Sequence, residues 1–194
     1  MATLRKNNVE KYLRHFAKSV IERGKKILQA KKKNVSGKLL DSLKYRLEAT
    51  SKGYNLIFKG ADYAAFVDKG VSGTKTTRTY HNIFGKRQRS PFKYKAGVGN
   101  SPNIGALAKW ISRKGIKGRD IGYTKKDGTK VKGTGRFIKT KSLAMIFSKS
   151  IQRKGLAASS FFSKPMSIEL AKFDNGILEA FKTDILTHFE TIEL

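Results

Sequence analysis

Few side chains in this sequence are able to transfer protons or hold metals, and they are widely spaced. The three histidines, His15, His81 and His188, share no HExxH or HxE spacing, so surface or interface positions are expected for them rather than zinc or general-base roles. A magnesium-dependent nuclease needs clustered carboxylates. The candidate pairs are Asp62 with Asp68, six apart on a turn, and Asp120 with Asp127, flanking a hairpin, and spacings of this kind arise readily by chance. The glycines of GVGNSPNIG, from Gly97 to Gly105, imitate a phosphate loop. They lack the Gly-Lys-Ser/Thr ending and the preceding apolar strand, which makes a hinge the better account. With no cysteine there is no thiol nucleophile, thiolate zinc site or disulfide framework. The expectation is a protein without catalytic residues, metal or cofactor.

The chemistry the chain does offer is charge. It has 42 Lys and Arg against 14 Asp and Glu, a net charge of +28 over 194 residues, and such self-repulsion calls for a polyanion, anionic neighbours or salt. The distribution is uneven: 12 basic and 2 acidic residues up to Leu40, then 23 basic and 2 acidic between Lys69 and Lys154. Within the basic middle, Lys75, Arg78, Tyr80, Lys86, Arg87, Arg89, Lys93, Lys95, Lys125, Lys126, Lys130, Lys132 and Arg136 are candidate contacts to DNA or to a neighbouring subunit. Aromatic residues interleave with them at Tyr80, Phe84, Phe92, Tyr94 and Tyr123. Cations on phosphates with rings stacked on bases is the single-strand binding pattern; rings anchoring an arm to a neighbouring copy is the alternative. The last 29 residues reverse the sign, and Glu169, Asp174, Glu179 and Asp184 are expected to form an acidic interface against a basic face.

The elements that must position these groups follow from periodicity. Val9, Leu13, Phe16, Val20 and Ile27 recur mostly at three- and four-residue steps and predict an N-terminal helix, ended by Lys31–Lys33. Ser36 is the expected N-cap of a short second helix through Leu43. Strands at 44–49 and 54–59 around Ser51-Lys52-Gly53 predict a hairpin, with Tyr54, Leu56 and Phe58 inward. ADYAAFVDK then places Tyr63, Phe66 and Val67 on one side of a turn or short helix. Residues 71–101 read as a basic loop or arm, and 115–140 as a basic, Gly-rich hairpin insertion turning at Asp127-Gly128. Helices are expected at 103–114 and 141–154, the second burying Leu143, Ile146, Phe147 and Ile151; each ends in Gly. A short strand should deliver Phe161 and Phe162 to the core. An acidic C-terminal helix, residues 166–194, carries Leu170, Phe173, Ile177, Phe181, Ile185, Phe189 and Ile192, with a kink expected at Asn175-Gly176. One α+β domain over 1–194 results: a small antiparallel sheet of about three to five strands packed by long N- and C-terminal helices.

The ordered series SGKLLDSLKYRLE, GYNLIFKGADYAAFVDKG, RKGLAASSFF and a long terminal helix resembles the gene-ten-like family of bacteriophage tail-completion and neck proteins. Ser36-Gly37, Leu39 or Leu40, and Ser42 match its "TG-x-L-x-x-S" entry, with Ser for the usual Thr. Tyr63-Ala64, Phe66-Val67-Asp68 and Gly70 match its "YA-x-x-V-E-x-G-T" turn. Residues 71–140 are longer and more basic than the short connection of that pattern. The resemblance implies a virion structural protein, assembled in the host cytoplasm, whose copies form a ring of about six or twelve at the head–tail junction or in the tail. It also implies contact with portal, adaptor or tail proteins and, within the channel, with double-stranded DNA. In such a ring, anchoring to a neighbouring subunit is the favoured role of the aromatic arm. A sequence-nonspecific nucleic-acid-binding protein, nucleoid- or ribosome-associated, is the alternative. No membrane span is expected, since no apolar run approaches the required length of roughly 18 residues.

Overall fold

The structure, a computed structural model, describes residues 7–31, 36–51, 53–97, 99 and 101–192, without the side chains of 188–192. The expectations for Lys32 and Lys33, Lys52, His188, Phe189 and Ile192 lie outside that description. The chain is α+β, and it divides into two compact units where one domain was expected: residues 1–70, 79–90 and 157–194 form unit 1, and residues 71–78 and 91–156 form unit 2. Among the described residues the strands pair as three separate antiparallel ribbons, not as one sheet of three to five strands.

Unit 1 is organised by α1 (Asn7–Ala30), whose stripe buries Val9, Leu13, Phe16, Val20 and Leu28. Helix α2 (Lys38–Ser42) leads into β1 (Lys44–Thr50) and β2 (Gly53–Lys59). In this ribbon Tyr45 faces Phe58 and Leu47 faces Leu56. Leu56 and Phe58 pack against Phe16, Val20 and Met166, whereas Ile57, on the opposite face, is exposed. A second cluster joins Leu28, Leu39, Leu40 and Phe161, with Val67 of α3 (Ala64–Lys69) beside it. Phe161 lies against Gly24, where an added Cβ would sit 2.7 Å from the Phe161 carbonyl oxygen. Glycine at this point lets α1 approach the incoming chain.

The C-terminal helix is two helices, α6 (Ser163–Leu170) and α7 (Phe173–Ile192), broken at Ala171 and Lys172. The break therefore precedes Asn175-Gly176. Tyr12 fixes it: its hydroxyl donates to the Lys172 and Phe173 carbonyls, both at 3.4 Å. Burial, and then the Glu169 and Asp174 carboxylates, push the Tyr12 phenol up from its ordinary value, which keeps the donor proton in place. Gly176 leaves room for the Tyr12 ring, which an added Cβ would strike. A further ribbon, β3 (Thr79–His81) with β4 (Arg87–Arg89), also belongs to unit 1.

Unit 2 is built on α4 (Ile104–Arg113) and α5 (Thr140–Lys154), which enclose Ile111, Leu143 and Ala144 with Leu107, Ile116 and Phe147 around them. The Asn103 side chain accepts from the Ala106 N–H at the start of α4. At its end the Ile116 N–H reaches the Ile111 carbonyl and Gly115 takes φ +62°, a glycine cap closed by an apolar contact. The ribbon of β5 (Gly122–Thr124) and β6 (Lys130–Lys132) turns through 125–129. Of its turn residues Gly128 alone takes a positive φ, so this is a longer loop and not the two-residue turn with Asp127 and Gly128 both positive. The expected arm, 71–101, is split: 79–90 is the unit 1 ribbon, and Val71 and Ser72 are buried in unit 2.

Candidate functional site

Residues 39–42, 61–68 and 159–163 meet at one joint in unit 1. The Ser42 hydroxyl donates to the Leu39 carbonyl at 2.8 Å and accepts from the Ala61 N–H at 2.9 Å, clamping α2 to the exit of the hairpin. Ser36 does not cap α2; that position belongs to Gly37, at φ 75°, and no side chain caps it. Asp68, only 4% exposed, accepts from the backbone N–H groups of Phe162 at 2.8 Å and Ser163 at 3.2 Å. It thereby caps α6, whose own N-cap residue, Phe162, offers no acceptor. Ser159 and Ser160 donate their N–H groups to the Val67 and Asp68 carbonyls. The small-residue segment before Phe161 is thus held without forming a strand, and Ser160 takes φ 51°. Of the three residues expected on one side of this turn, Tyr63 and Phe66 are exposed, and Val67 packs beside the Leu28 cluster.

The carboxylates are occupied by structure. Asp184 is 3% exposed and accepts from the Asn8 N–H and side-chain amide at 2.9 Å and from the Val9 N–H at 3.0 Å, capping the first turn of α1. Glu169 pairs with Arg23 at 2.9 Å. Of the four residues expected at an acidic interface, Asp174 and Glu179 are the exposed ones, and Glu179 is paired with Lys182. In unit 2, Asp120 accepts from Gly122 N–H and from both the N–H and hydroxyl of Thr134; bonds from Thr134 and then Gly122 hold its carboxyl below the usual carboxylate value. Asp127 accepts from the Thr129 N–H inside its own turn, which lowers its carboxyl in the same way. Asp62 is exposed while Asp68 is buried, Asp120 and Asp127 accept from different backbone N–H groups, and His15 and His81 are exposed. Among the described residues no three His, Asp or Glu side chains group around a possible metal position.

Unit 2 has what remains of the chemistry. It contains 19 of the 42 basic residues and two acidic ones, both of which hold turns. All four ion pairs among the described residues lie in unit 1. Of the thirteen candidate contacts, Tyr80, Lys86, Arg87 and Arg89 belong to the β3–β4 ribbon of unit 1, and the other nine to unit 2. Tyr80 is partnered there, its hydroxyl bonded to Gln88 and its ring 5.8 Å from the Lys69 ammonium. Phe84 stands exposed at the tip, beyond a turn closed by Asn82. In unit 2, Arg78 is a helix cap, donating from Nε to the Lys154 carbonyl at 2.8 Å. On the β5–β6 ribbon, Lys130 and Lys132 lie on one face and Tyr123 and Val131 on the other. The neighbouring Ile121 is 89% exposed, and the Phe137 ring holds the Arg119 guanidinium at 4.6 Å.

A cleft of about 530 Å³ in unit 2 gathers Lys75, Thr76, Lys149, Ser150, Arg153 and Lys154. The spacing of Ile146 predicts a core position. Ile146 is in fact 54% exposed and lines this cleft. The signal was available: 146, 149 and 153 recur at steps of three and four on one face of α5, turned away from the stripe of Leu143, Ala144, Phe147 and Ser148. No helix among the described residues is long and apolar enough to cross a membrane. No protein-family model, curated protein or solved structure matches this chain.

Proposed function

We propose that this chain is a non-enzymatic structural protein of a bacteriophage virion, assembling into an oligomeric ring at the head–tail junction as a neck, tail-completion or connector component. Unit 1 is the scaffold that meets other copies and the portal, adaptor or tail proteins, and unit 2 turns its cations toward DNA in the channel or toward anionic neighbours. The observation that carries this reading is the joint at Ser42, Asp68 and 159–163. Three sequence segments that share the order of the gene-ten-like pattern, and are distant in the chain, fasten to each other through the very positions that define it. The Asp of FVDKG has a structural reason to be acidic there, since it caps a helix that arrives from the other end of the sequence.

Native mass spectrometry of the full chain tests the reading. A closed assembly of about six or twelve copies supports it, because a heterologous interface that closes gives a fixed copy number. A monomer at tens of micromolar overturns it and leaves a freely acting nucleic-acid-binding protein.

A further inference from the structure

We infer that the cleft along the C-terminal half of α5 is a contact for the phosphodiester backbone of double-stranded nucleic acid. The inference rests on the reading of this chain as an assembly protein that faces DNA, and names the residues that would do so. Backbone hydrogen bonds build the cleft. The chain at 71–78 lies across the end of α5, with the Thr74 and Lys75 N–H groups donating to the Gln152 and Arg153 carbonyls at 2.9 and 3.0 Å. Gly73 and Gly155 leave no space for a Cβ, so the two segments are in direct backbone contact. This fixes the start of the Lys75 side chain beside Arg153, while Lys149 and Arg153, four residues apart, share one face of the helix. Four cations and the hydroxyls of Thr76 and Ser150 line one recess.

Electrostatics selects the ligand. Unit 2 has two carboxylates against 19 cations, and neither Asp120 nor Asp127 lines the cleft, so the excess charge is not neutralised within the unit. From Ile146 to Lys154 the helix rises about 12 Å. A duplex strand winds as it rises about 3.4 Å per phosphate along the axis, so its successive phosphates stand roughly twice that far apart and the face matches about two of them. An acidic peptide places its charges on longer, separately mobile side chains. It would leave most of the excess on unit 2 unrelieved, whereas a continuous polyanion relieves it by releasing its own condensed counterions. Contact of this kind positions the protein on nucleic acid without reading sequence.

The test uses the full chain and a labelled 20-base-pair duplex of mixed sequence, with affinity measured by fluorescence anisotropy from 50 to 200 mM NaCl. Lys149→Glu with Arg153→Glu is compared with Lys18→Glu and Lys26→Glu on α1 of unit 1, a change of equal charge. The parent's logarithmic salt dependence should become shallower by about 1.8 in the α5 variant, with affinity lower on the order of tenfold, and stay nearly unchanged in the α1 variant. Lys149→Gln with Arg153→Gln should shift the slope in the same direction, which guards against misfolding of the charge-reversed chain. Equal losses in both pairs would reduce the effect to net charge and overturn the inference. So would absence of duplex binding at 50 mM NaCl, or a peptide of residues 173–192 binding the parent in place of duplex, which would make the cleft a contact between copies. Native mass spectra of the same samples keep the ring separate: monomers that retain the slope difference would refute the ring and leave the phosphate contact standing.

Discussion

Asp184 and Asp68 each supply a helix start with an acceptor from far along the chain. The first turn of α1 receives Asp184 at Asn8 and Val9, and α6 receives Asp68 at Phe162 and Ser163. Both carboxylates are buried, so the N–H groups they satisfy would otherwise be shielded from water as well. Asp184→Ala should lower stability in urea unfolding by about 1–2 kcal/mol, and Asp184→Asn by less, because the amide oxygen keeps the Asn8 bonds while its NH2 cannot accept from the Val9 N–H. Glu179→Ala, at an exposed ion pair on the same helix, should stay within about 0.5 kcal/mol. Equal costs at 184 and 179 would deny Asp184 its capping role. Asp120 makes a separate, pH-dependent prediction. Its carboxyl lies below the ordinary value of 3.8 in the folded chain, because it accepts from Thr134 and Gly122. A depressed folded value gives stability that is complete above the unfolded value and is lost as pH falls through the folded one. The Gly122 and Thr134 amide resonances should therefore hold their positions down to about pH 4 and move below it. Asp120→Asn should abolish that acid transition; an identical one in the variant would place its origin elsewhere.

At the scale of elements, a glycine that reads as a kink is a point of close approach. Gly176 lies inside α7 under the Tyr12 ring, and the helix breaks instead at Ala171 and Lys172, whose neighbourhood is held by the Tyr12 hydroxyl. Gly176→Ala should cost about 1–3 kcal/mol, since ring or helix must move. With Tyr12→Ala in the same chain the sign should reverse, alanine then stabilising the helix by up to about 1 kcal/mol over glycine. A cost that persists without the ring would refute the packing account. Periodicity did predict α1, the β1–β2 hairpin with its inward face, and α4 with its glycine stop, because those elements bury one stripe and signal their ends locally. It misplaced Ile146, which has core spacing but lies on the cationic face of α5. The capping of α6 by Asp68, the split of residues 71–101 between units and the separation of the strands into three ribbons depend on contacts between distant segments. Local patterns contain no record of such contacts. The α5 cleft was half legible: its cations were visible at helical spacing, but Lys75 joins them only through the backbone pairing at Thr74 and Lys75.

For the whole molecule, the governing fact is that charge divides along the boundary between units. Unit 1 has 23 basic and 12 acidic residues, and its ion pairs and buried caps use several of the acids; unit 2 has 19 and 2. Folding unit 2 gathers like charges that the unfolded chain keeps apart, and its apolar core around Ile111, Leu143 and Ala144 must overcome that repulsion. At 0.01 M salt the Debye length is about 30 Å, longer than a domain of this size is wide, so every cation in the unit feels the others. At 0.15 M it is about 8 Å, and only near neighbours still repel. Raising salt across that range should therefore slow amide exchange in α4 and α5 of unit 2 by a larger factor than in α1 of unit 1. A short duplex at low salt should protect the same helices, since it binds the folded, charge-dense unit more tightly than the expanded chain. An uncharged osmolyte that stabilises both units should leave their ratio unchanged. If salt slowed exchange equally in α1, α4 and α5, charge would not limit the stability of unit 2, and the requirement for a polyanionic partner would fall with it.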